Sequence, residues 1–160
     1  MQYATKYSLL CRLLLQQAVW HRLAKYLEIM MTQKKQSEMA VITKAKELCS
    51  YVMVVTQKSP KHFRFTFVTR MHNLALDVIE NLYRANDTFV TGKDLEARRT
   101  RLEFQHKAIT SLKLLAYISY LAYEQGCILP KQYEQISVLA TGCRTLAGAW
   151  ISSDRKRFPS

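Results

Sequence analysis

The chain has 160 residues, 49% of them apolar, and its 24 Lys and Arg exceed its 12 Asp and Glu to give a net charge of +12. This length and apolar content predict one domain with a continuous core, and the presence of only 4 Gly and 3 Pro favours long helices. The longest nearly continuous apolar run, residues 114–123, is too short to cross a bilayer, which excludes a membrane-spanning protein.

The first 40 residues are predicted to form an N-terminal extension. Residues 32–38 form a polar stretch, which predicts a linker. We therefore assign residues 1–40 to a helical extension and linker, and residues 41–158 to the main domain. Within the extension, residues 5–31 are predicted to be an amphipathic helix because one face carries Leu9, Leu13, Trp20, Leu23 and Leu27.

Four further helices are predicted in the main domain. Helical spacing of apolar residues places them over about residues 42–57, from 60 or 65 to 86, 95–125 and 130–153. The breaks between them carry turn and helix-start signals, namely Ser59-Pro60, Gly92, and Gly126 followed by Pro130. Long helices joined by short loops predict an all-α fold, an antiparallel up-down four-helix bundle with the N-terminal amphipathic helix as an additional element.

The second half of the predicted helix 95–125 has the sequence LLAYISYLAY and is apolar on nearly every side. Such a helix must be covered all round, whereas a helix in a four-helix bundle keeps one open flank. This half-helix is therefore a candidate subunit interface; the alternative is that the helix 5–31 covers it within the same chain. The candidate interface residues are Leu114, Leu115, Tyr117, Ile118 and Leu121.

The last predicted helix combines an apolar stripe, a stripe of small residues and a basic end. The apolar stripe follows steps of three and four, which predicts burial of its members, Leu146 and Trp150 included. The apolar stripe is Ile136, Leu139, Cys143, Leu146 and Trp150. The small residues on the adjacent face are Thr141, Thr145, Gly148 and Ser152.

The four cysteines, Cys11, Cys49, Cys127 and Cys143, include no Cys-x-x-Cys pair. Cys49 and Cys143 lie on or beside apolar stripes, which predicts buried, reduced thiols. Reduced thiols fit a cytoplasmic location.

The basic charge is distributed along the chain, so the folded body should attract polyanions, most often nucleic acid; the alternative is a protein of high pI with no such partner. At the helix junction around residues 58–70, Phe63, Phe65 and Phe67 are interleaved among cations, and aromatic rings among cations can stack on unpaired bases. The alternative is that these rings close the end of the bundle. The candidate nucleic-acid-binding residues form three clusters: Lys58, Lys61, Arg64 and Arg70; Arg98, Arg99 and Arg101; and Arg155, Lys156 and Arg157.

Catalytic or metal-binding patterns are weak in this sequence. Glu103 and His106 form a single Glu-x-x-His, whereas a di-metal site in a helix bundle needs two such motifs and two further Glu. No glycine-rich phosphate loop is present. We therefore expect no enzymatic activity, no metal and no cofactor.

Two segments resemble a known family. Residues 44–87, KAKELCSYVMVVTQKSPKHFRFTFVTRMHNLALDVIENLYRAND, are similar to the first two helices of the bacterial four-helix-bundle proteins. That group includes proteins encoded in 23S rRNA intervening sequences and the accessory variability determinant (Avd) proteins of diversity-generating retroelements. Residues 132–158 most resemble Avd, in which a Gly-x-Trp-Ile segment precedes a basic tail; the matching residues here are Gly148, Trp150, Ile151 and Arg155 to Arg157.

The resemblance covers residues 41–158 and implies a non-enzymatic four-helix bundle that assembles into a ring-like homo-oligomer, expected to be a pentamer. It implies that the partners are a reverse transcriptase and its template RNA, with the cDNA product, in mutagenic retrohoming. The intervening-sequence relatives imply an alternative, the same fold with a ribosome-associated or unknown role. Residues 1–40 depart from the family pattern.

Overall fold

The computed structural model describes residues 39–91 and 94–158, which belong to one compact unit, Met39–Ser160. Within these ranges the regular elements are all helical, and no strand is present. The predicted all-α class and the four helices of the main domain are therefore confirmed, whereas the predicted helix 5–31 and the linker lie outside the described residues. No helix in the described ranges has both the length and the apolar character needed to cross a bilayer. The helices are α1 (Ala40–Thr56), α2 (Thr69–Asp87), α3 (Leu95–Glu124) and α4 (Pro130–Arg157).

The chain enters α2 through an irregular segment. One turn of 3₁₀-helix (Lys61–Phe63) and a π-helical turn (Arg64–Val68) come directly before it. The backbone N–H of Thr69 donates a hydrogen bond to the carbonyl oxygen of Arg64, five residues back, and the Thr69 hydroxyl donates to the same oxygen at 2.6 Å. This spacing is that of a π-turn, a widening frequently found at functional sites.

The connection between α3 and α4 contains Gly126 and Pro130, the two residues from which the sequence predicted a break between helices. Gly126 has a φ of 72°, the left-handed conformation in which glycine commonly ends a helix. The backbone N–H of Cys127 donates to the carbonyl oxygen of Ala122 at 2.8 Å and closes the last turn of α3. Pro130 then opens α4, since its fixed φ suits a first helical turn and its missing N–H is not needed there.

Each helix packs against the next one in sequence, and α4 also packs against α1. The diagonal pairs, α1 with α3 and α2 with α4, make at most marginal contact. Beyond the end of α1, the hydroxyl of Ser59 donates to the carbonyl oxygen of Cys127, just before α4, at 2.8 Å. Near the start of α1, the carbonyl oxygen of Val41 lies 3.7 Å from the sulfur of Cys143, further along α4.

The core is formed by the inward stripes of all four helices. Burying these stripes removes apolar surface from water, which is the main favourable contribution to folding. Large side chains that are completely or almost completely buried are Leu48 and Val52 from α1, Met71, Leu74, Val78 and Leu82 from α2, Leu112 and Leu115 from α3, and Ile136 and Cys143 from α4.

Three of the four cysteines belong to the interior. Cys49, Cys127 and Cys143 are buried free thiols, as predicted, and Cys11 lies outside the described residues. Burial raises the pKa of Cys143 to about 11, because a thiolate at that position would lose its hydration. Burial also raises the pKa of Cys49 and of Cys127. These thiols are therefore protonated at neutral pH, and protonated thiols are poor nucleophiles.

The structure corrects the predicted exposure of two leucine side chains. Leu115, assigned to a subunit interface from the sequence, is fully buried because it shares the inward face of α3 with Leu112. Leu146, predicted to be buried, is 37% exposed, whereas Trp150 is buried as predicted. A straight helix drifts by about 20° per heptad from a 3.5-residue repeat, so Ala147 occupies the inward position in place of Leu146.

Helix α4 continues through the basic residues at its end. The sequence predicted a helix ending near residue 153 and then a basic tail, whereas α4 extends to Arg157. The backbone N–H of Phe158 donates to the carbonyl oxygen of Asp154 at 2.9 Å and closes the last turn. Cations in the last turn interact favourably with the negative end of the helix dipole, which explains why Arg155 and Lys156 can be helical.

Replacing Trp150 with alanine should lower the free energy of unfolding by about 3–5 kcal/mol, because a buried aromatic side chain would leave a cavity between α3 and α4. Leu146→Ala on the same helix is the matched control, and its partly exposed side chain should cost no more than about 1 kcal/mol. Equilibrium urea denaturation of the two variants measures the difference. Equal losses of stability would contradict the burial described for Trp150.

Candidate functional site

The basic residues predicted from the sequence divide between two ends of the helices. Arg98, Arg99 and Arg101 at the start of α3 meet Arg155 at the end of α4 around one pocket. The first cluster, which lies before and at the start of α2, is instead near the α3–α4 connection, to which Ser59 is hydrogen-bonded. Helix α3 has 30 residues, so about 45 Å separate these ends at 1.5 Å per residue. The structure therefore joins the second and third clusters and keeps the first apart.

The pocket between the start of α3 and the end of α4, called the arginine pocket below, has a volume of about 590 Å³. Sites for small molecules typically have volumes of about 300–1,000 Å³. The arginine pocket combines apolar walls with basic groups. Its apolar side chains are Val90, Leu95, Leu102, Ile151 and Phe158, and its polar ones are Arg98, Arg99, Arg101, Gln105, Asp154 and Arg155.

One carboxylate joins the two helices that form the arginine pocket. Gln105 is 1% exposed, and its Nε2 donates a hydrogen bond to Oδ2 of Asp154 at 2.7 Å. Nε of Arg101 lies 3.0 Å from the same oxygen, and both side chains of this pair are 17% exposed. This nitrogen makes no well-aligned hydrogen bond, so the contact is an ion pair. The Arg101 guanidinium also lies over the Trp150 ring, 5.1 Å from its centroid.

These contacts correct the role predicted for Arg101. Because Asp154 offsets its charge and the side chain is largely buried, Arg101 shapes the arginine pocket and is not an exposed phosphate contact. Arg99 and Arg155 are exposed, whereas Arg98 is half-buried with its guanidinium 5.7 Å from the centroid of the Phe158 ring. Four arginines against one aspartate leave this region with an excess of positive charge.

The basic residues at the end of α4 contribute unequally to the arginine pocket. Arg155, Lys156 and Arg157 are all exposed in the last turn, but only Arg155 lines the pocket. Successive residues point in different directions around a helix, so Lys156 and Arg157 extend the basic surface beyond the pocket.

At the other end, the aromatic residues of the first cluster have two different roles. Phe63 and Phe67 pack against the core with their ring centroids 5.6 Å apart, so these two rings close the end of the helices. Phe65 is 87% exposed and remains free to stack on a planar ligand. The four cations of this cluster are exposed: Lys58, Lys61, Arg64 and Arg70.

The predicted interface residues on α3 other than Leu115 form its apolar flank, and fewer of them are exposed than the sequence predicted. Tyr117 is 61% exposed and Leu114 is 42% exposed, whereas Ile118 and Leu121 are half-buried. Tyrosines are enriched in protein interfaces because they combine an apolar ring with a polar tip. On the side of α3 that faces α4, Tyr120 and Tyr123 each contact the Tyr133 ring at a centroid distance of 5.7 Å.

The Glu-x-x-His motif has a surface position. Glu103 pairs with Lys107 at 2.7 Å, and His106 is exposed. In residues 39–91 and 94–158 there is no group of three or more His, Cys, Asp or Glu able to hold a metal ion. The guanidinium groups at the arginine pocket are suited to binding anionic ligands, since guanidinium groups recognise carboxylates and phosphates through several N–H donors.

Sequence reasoning missed Gln105, Asp154 and Val90. A signal for Gln105 was present, because it lies three residues before Ala108 on the inward stripe of α3, where a polar side chain requires a buried partner. Asp154 and Val90 had no comparable signal, since they become neighbours only when the end of α4 packs beside the start of α3.

No known protein family matches this chain, and no curated protein is significantly similar to it.

Asp154→Ala should lower the free energy of unfolding by about 1.5–3 kcal/mol, because Gln105 and Arg101 would both lose a charged partner in a largely buried position. Glu134→Ala removes an exposed carboxylate from the same helix and should change stability by no more than about 0.5 kcal/mol. Urea denaturation at neutral pH compares the two variants. If they unfold alike, Asp154 does not hold the two helices together.

Proposed function

We propose that this protein is a non-enzymatic accessory protein of a diversity-generating retroelement. It binds the reverse transcriptase of the element and the template RNA or cDNA, and so supports mutagenic retrohoming. The observation that carries nucleic-acid binding is the arginine pocket, where four arginines from two helices surround apolar walls. The resemblance of residues 132–158 to Avd proteins, and of residues 44–87 to the four-helix-bundle group that includes them, supports the retroelement and the reverse transcriptase as its setting.

The arrangement we propose for the helices is an antiparallel up-down bundle. Two contacts support it: Ser59 beyond the end of α1 bonds to Cys127, three positions before α4, and Arg101 near the start of α3 pairs with Asp154 near the end of α4. The short connections, which leave no room for a long crossover between successive helices, agree with it.

Nucleic acid would be bound by neutralisation of phosphates, without reading of sequence. Exposed cations such as Arg99, Arg155 and Lys156 replace the counterions that surround the phosphates. The affinity then falls steeply as salt is added, with a slope of about −0.7 to −0.9 in log K against log salt for each phosphate contact. The net charge of +12 adds a long-range attraction that speeds the encounter.

The subunits are proposed to associate through the flank of α3, in the ring of five that the resemblance implies. The exposed Tyr117 and Leu114 support this flank as the contact surface. Cyclic symmetry would repeat the arginine pocket once in every subunit. One RNA could then occupy several pockets at once, which raises its overall affinity without new contacts.

Affinity purification of the tagged protein from its native host, with identification of the proteins and RNAs recovered, tests this function. Recovery of a reverse transcriptase with one short non-coding RNA is the expected result. Recovery of ribosomal RNA and ribosomal proteins would support the alternative, an intervening-sequence-type bundle with a ribosome-associated role. Recovery of neither set would overturn both the retroelement function and the ribosome-associated alternative.

Neutralising the basic end of α4 should weaken RNA binding more than neutralising the first cluster, because only the former adjoins the arginine pocket. The triple variant Arg155→Gln, Lys156→Gln and Arg157→Gln is compared with Lys58→Gln, Lys61→Gln and Arg64→Gln, which removes the same charge from the other end. Each lost phosphate contact should reduce the salt slope by about 0.7–0.9.

Filter binding of a single-stranded RNA at several salt concentrations measures both quantities, and circular dichroism checks that both triple variants remain helical. Equal weakening by the two triple variants would mean that RNA responds to overall charge and not to the pocket end of the protein.

Introducing charge on the flank of α3 should dissociate the oligomer. Tyr117→Glu places a carboxylate at the centre of the proposed contact, where its desolvation would oppose association. Val54→Glu is the matched control, because Val54 is 60% exposed and Tyr117 61%, and α1 lies diagonally opposite α3. Light scattering coupled to size-exclusion chromatography gives the mass of each variant. A Tyr117→Glu protein of unchanged oligomeric mass would remove this flank from the interface.

A further inference from the structure

The arginine pocket offers two unlike surfaces to a ligand. Arg99 and Arg155 are exposed cations, whereas Leu102, Ile151 and Phe158 supply apolar walls. A ligand that satisfies both must join an anionic group directly to a compact apolar one. Inorganic phosphate would leave the apolar walls unused, and a neutral apolar molecule would leave the cations unused.

The aromatic and guanidinium groups in this region favour a flat apolar group. The Arg98 guanidinium lies over the Phe158 ring at 5.7 Å, which presents two planar groups together. Phe89, next to pocket residue Val90, is 82% exposed, and Leu95 in the pocket is 65% exposed. Nucleobases stack on aromatic rings and on arginine planes in this way.

The buried ion pair decides which part of such a ligand enters. Asp154 and Arg101 are both only 17% exposed and neutralise one another. A phosphate placed beside this pair would lose much of its hydration and gain little net attraction in return, because the Asp154 carboxylate offsets the charge of Arg101. A neutral base avoids this desolvation cost, and its phosphates remain outside with Arg99 and Arg155.

A base that is paired and stacked in a duplex is not available to enter a pocket of this kind. Extruding it would cost the stacking and pairing energy, whereas a single strand presents its bases without that cost. Lys156 and Arg157, exposed in the same helical turn as Arg155, provide further cations for the phosphates that follow along the strand.

We propose that the arginine pocket takes one unpaired base of a single-stranded nucleic acid, with the flanking phosphates on Arg99 and Arg155. This inference rests on the proposed nucleic-acid binding and adds to it a selection for single strands over duplexes. The base contacts the apolar walls without reading its sequence.

Fluorescence anisotropy with the full chain tests the proposal on three labelled probes about twelve nucleotides long. They are single-stranded oligothymidylate, the same backbone carrying abasic units, and a duplex of that length. The first two have the same number of phosphates and differ only in their bases. We expect the base-bearing strand to bind about tenfold more tightly than the abasic one, the size of effect known for stacking of a base on an aromatic side chain.

Two variants test whether the preference for the base-bearing strand arises in the arginine pocket, and neither alters the charge of the pocket. Phe158→Ala removes the aromatic wall, and Leu102→Trp fills the space between the walls. Each should bring the base-bearing strand down to the affinity of the abasic one. Phe65→Ala, which removes the exposed ring at the other end of the helices, is the matched control and should leave the preference unchanged.

The outcomes separate the inference from the proposed function. Equal binding of base-bearing and abasic strands would overturn the inference while leaving phosphate binding intact. Loss of the preference in Phe65→Ala but not in Phe158→Ala would overturn it as well, because the base would then stack at the other end. If polyglutamate displaced the base-bearing strand as readily as unlabelled strand does, the pocket would be a site for acidic peptides. Absence of binding to all three probes would overturn the nucleic-acid function itself.

Discussion

The contact of Asp154 with the start of α3 is the interaction on which the arrangement of basic groups depends. Arginines on two adjacent helix ends repel one another, and nothing in their own chemistry would keep Arg99 near Arg155. The Asp154 carboxylate accepts a hydrogen bond from Gln105 and pairs with Arg101 at positions shielded from solvent, where salt screens little. It thereby holds the two helix ends together while most of the cationic groups face outward. The arginine pocket is a consequence of this one acid within a basic region.

The candidate basic clusters and the proposed contact surface lie on different parts of the protein. The basic clusters are at the two ends of the helices, and the exposed side chains Tyr117 and Leu114 lie on the flank of α3. An interface that buried the basic clusters would have to desolvate many like charges, which is costly. The proposed association through the flank would avoid that cost and leave both ends accessible to an anionic polymer. The proposed assembly and the proposed nucleic-acid binding are therefore compatible with one another.

The helices could be predicted from the sequence because their signals are local. Spacing of apolar residues located all four helices. Gly126 marked the α3–α4 connection, because glycine readily adopts the left-handed φ that the structure shows there. Errors arose where a small geometric difference accumulated along a helix or where the chain had no stop signal. The inward face of α4 turns from Leu146 to Ala147, and the helix continues beyond the predicted end to Arg157. Leu115 was misassigned because an all-apolar half-helix does not reveal which of its sides faces inward.

The candidate site was predictable in composition but not in geometry. From the sequence alone, the helical class, the buried thiols, the burial of Trp150 and the existence of three basic clusters follow, since each depends on residue type and on spacing within one helix. Which clusters meet, and that Arg101 is neutralised by Asp154 while Arg99 is exposed, depend on how α3 and α4 pack side by side. That packing brings together residues about fifty positions apart in the chain. Periodicity within a helix carries no information about such distant pairs, so only the tertiary structure decided the site.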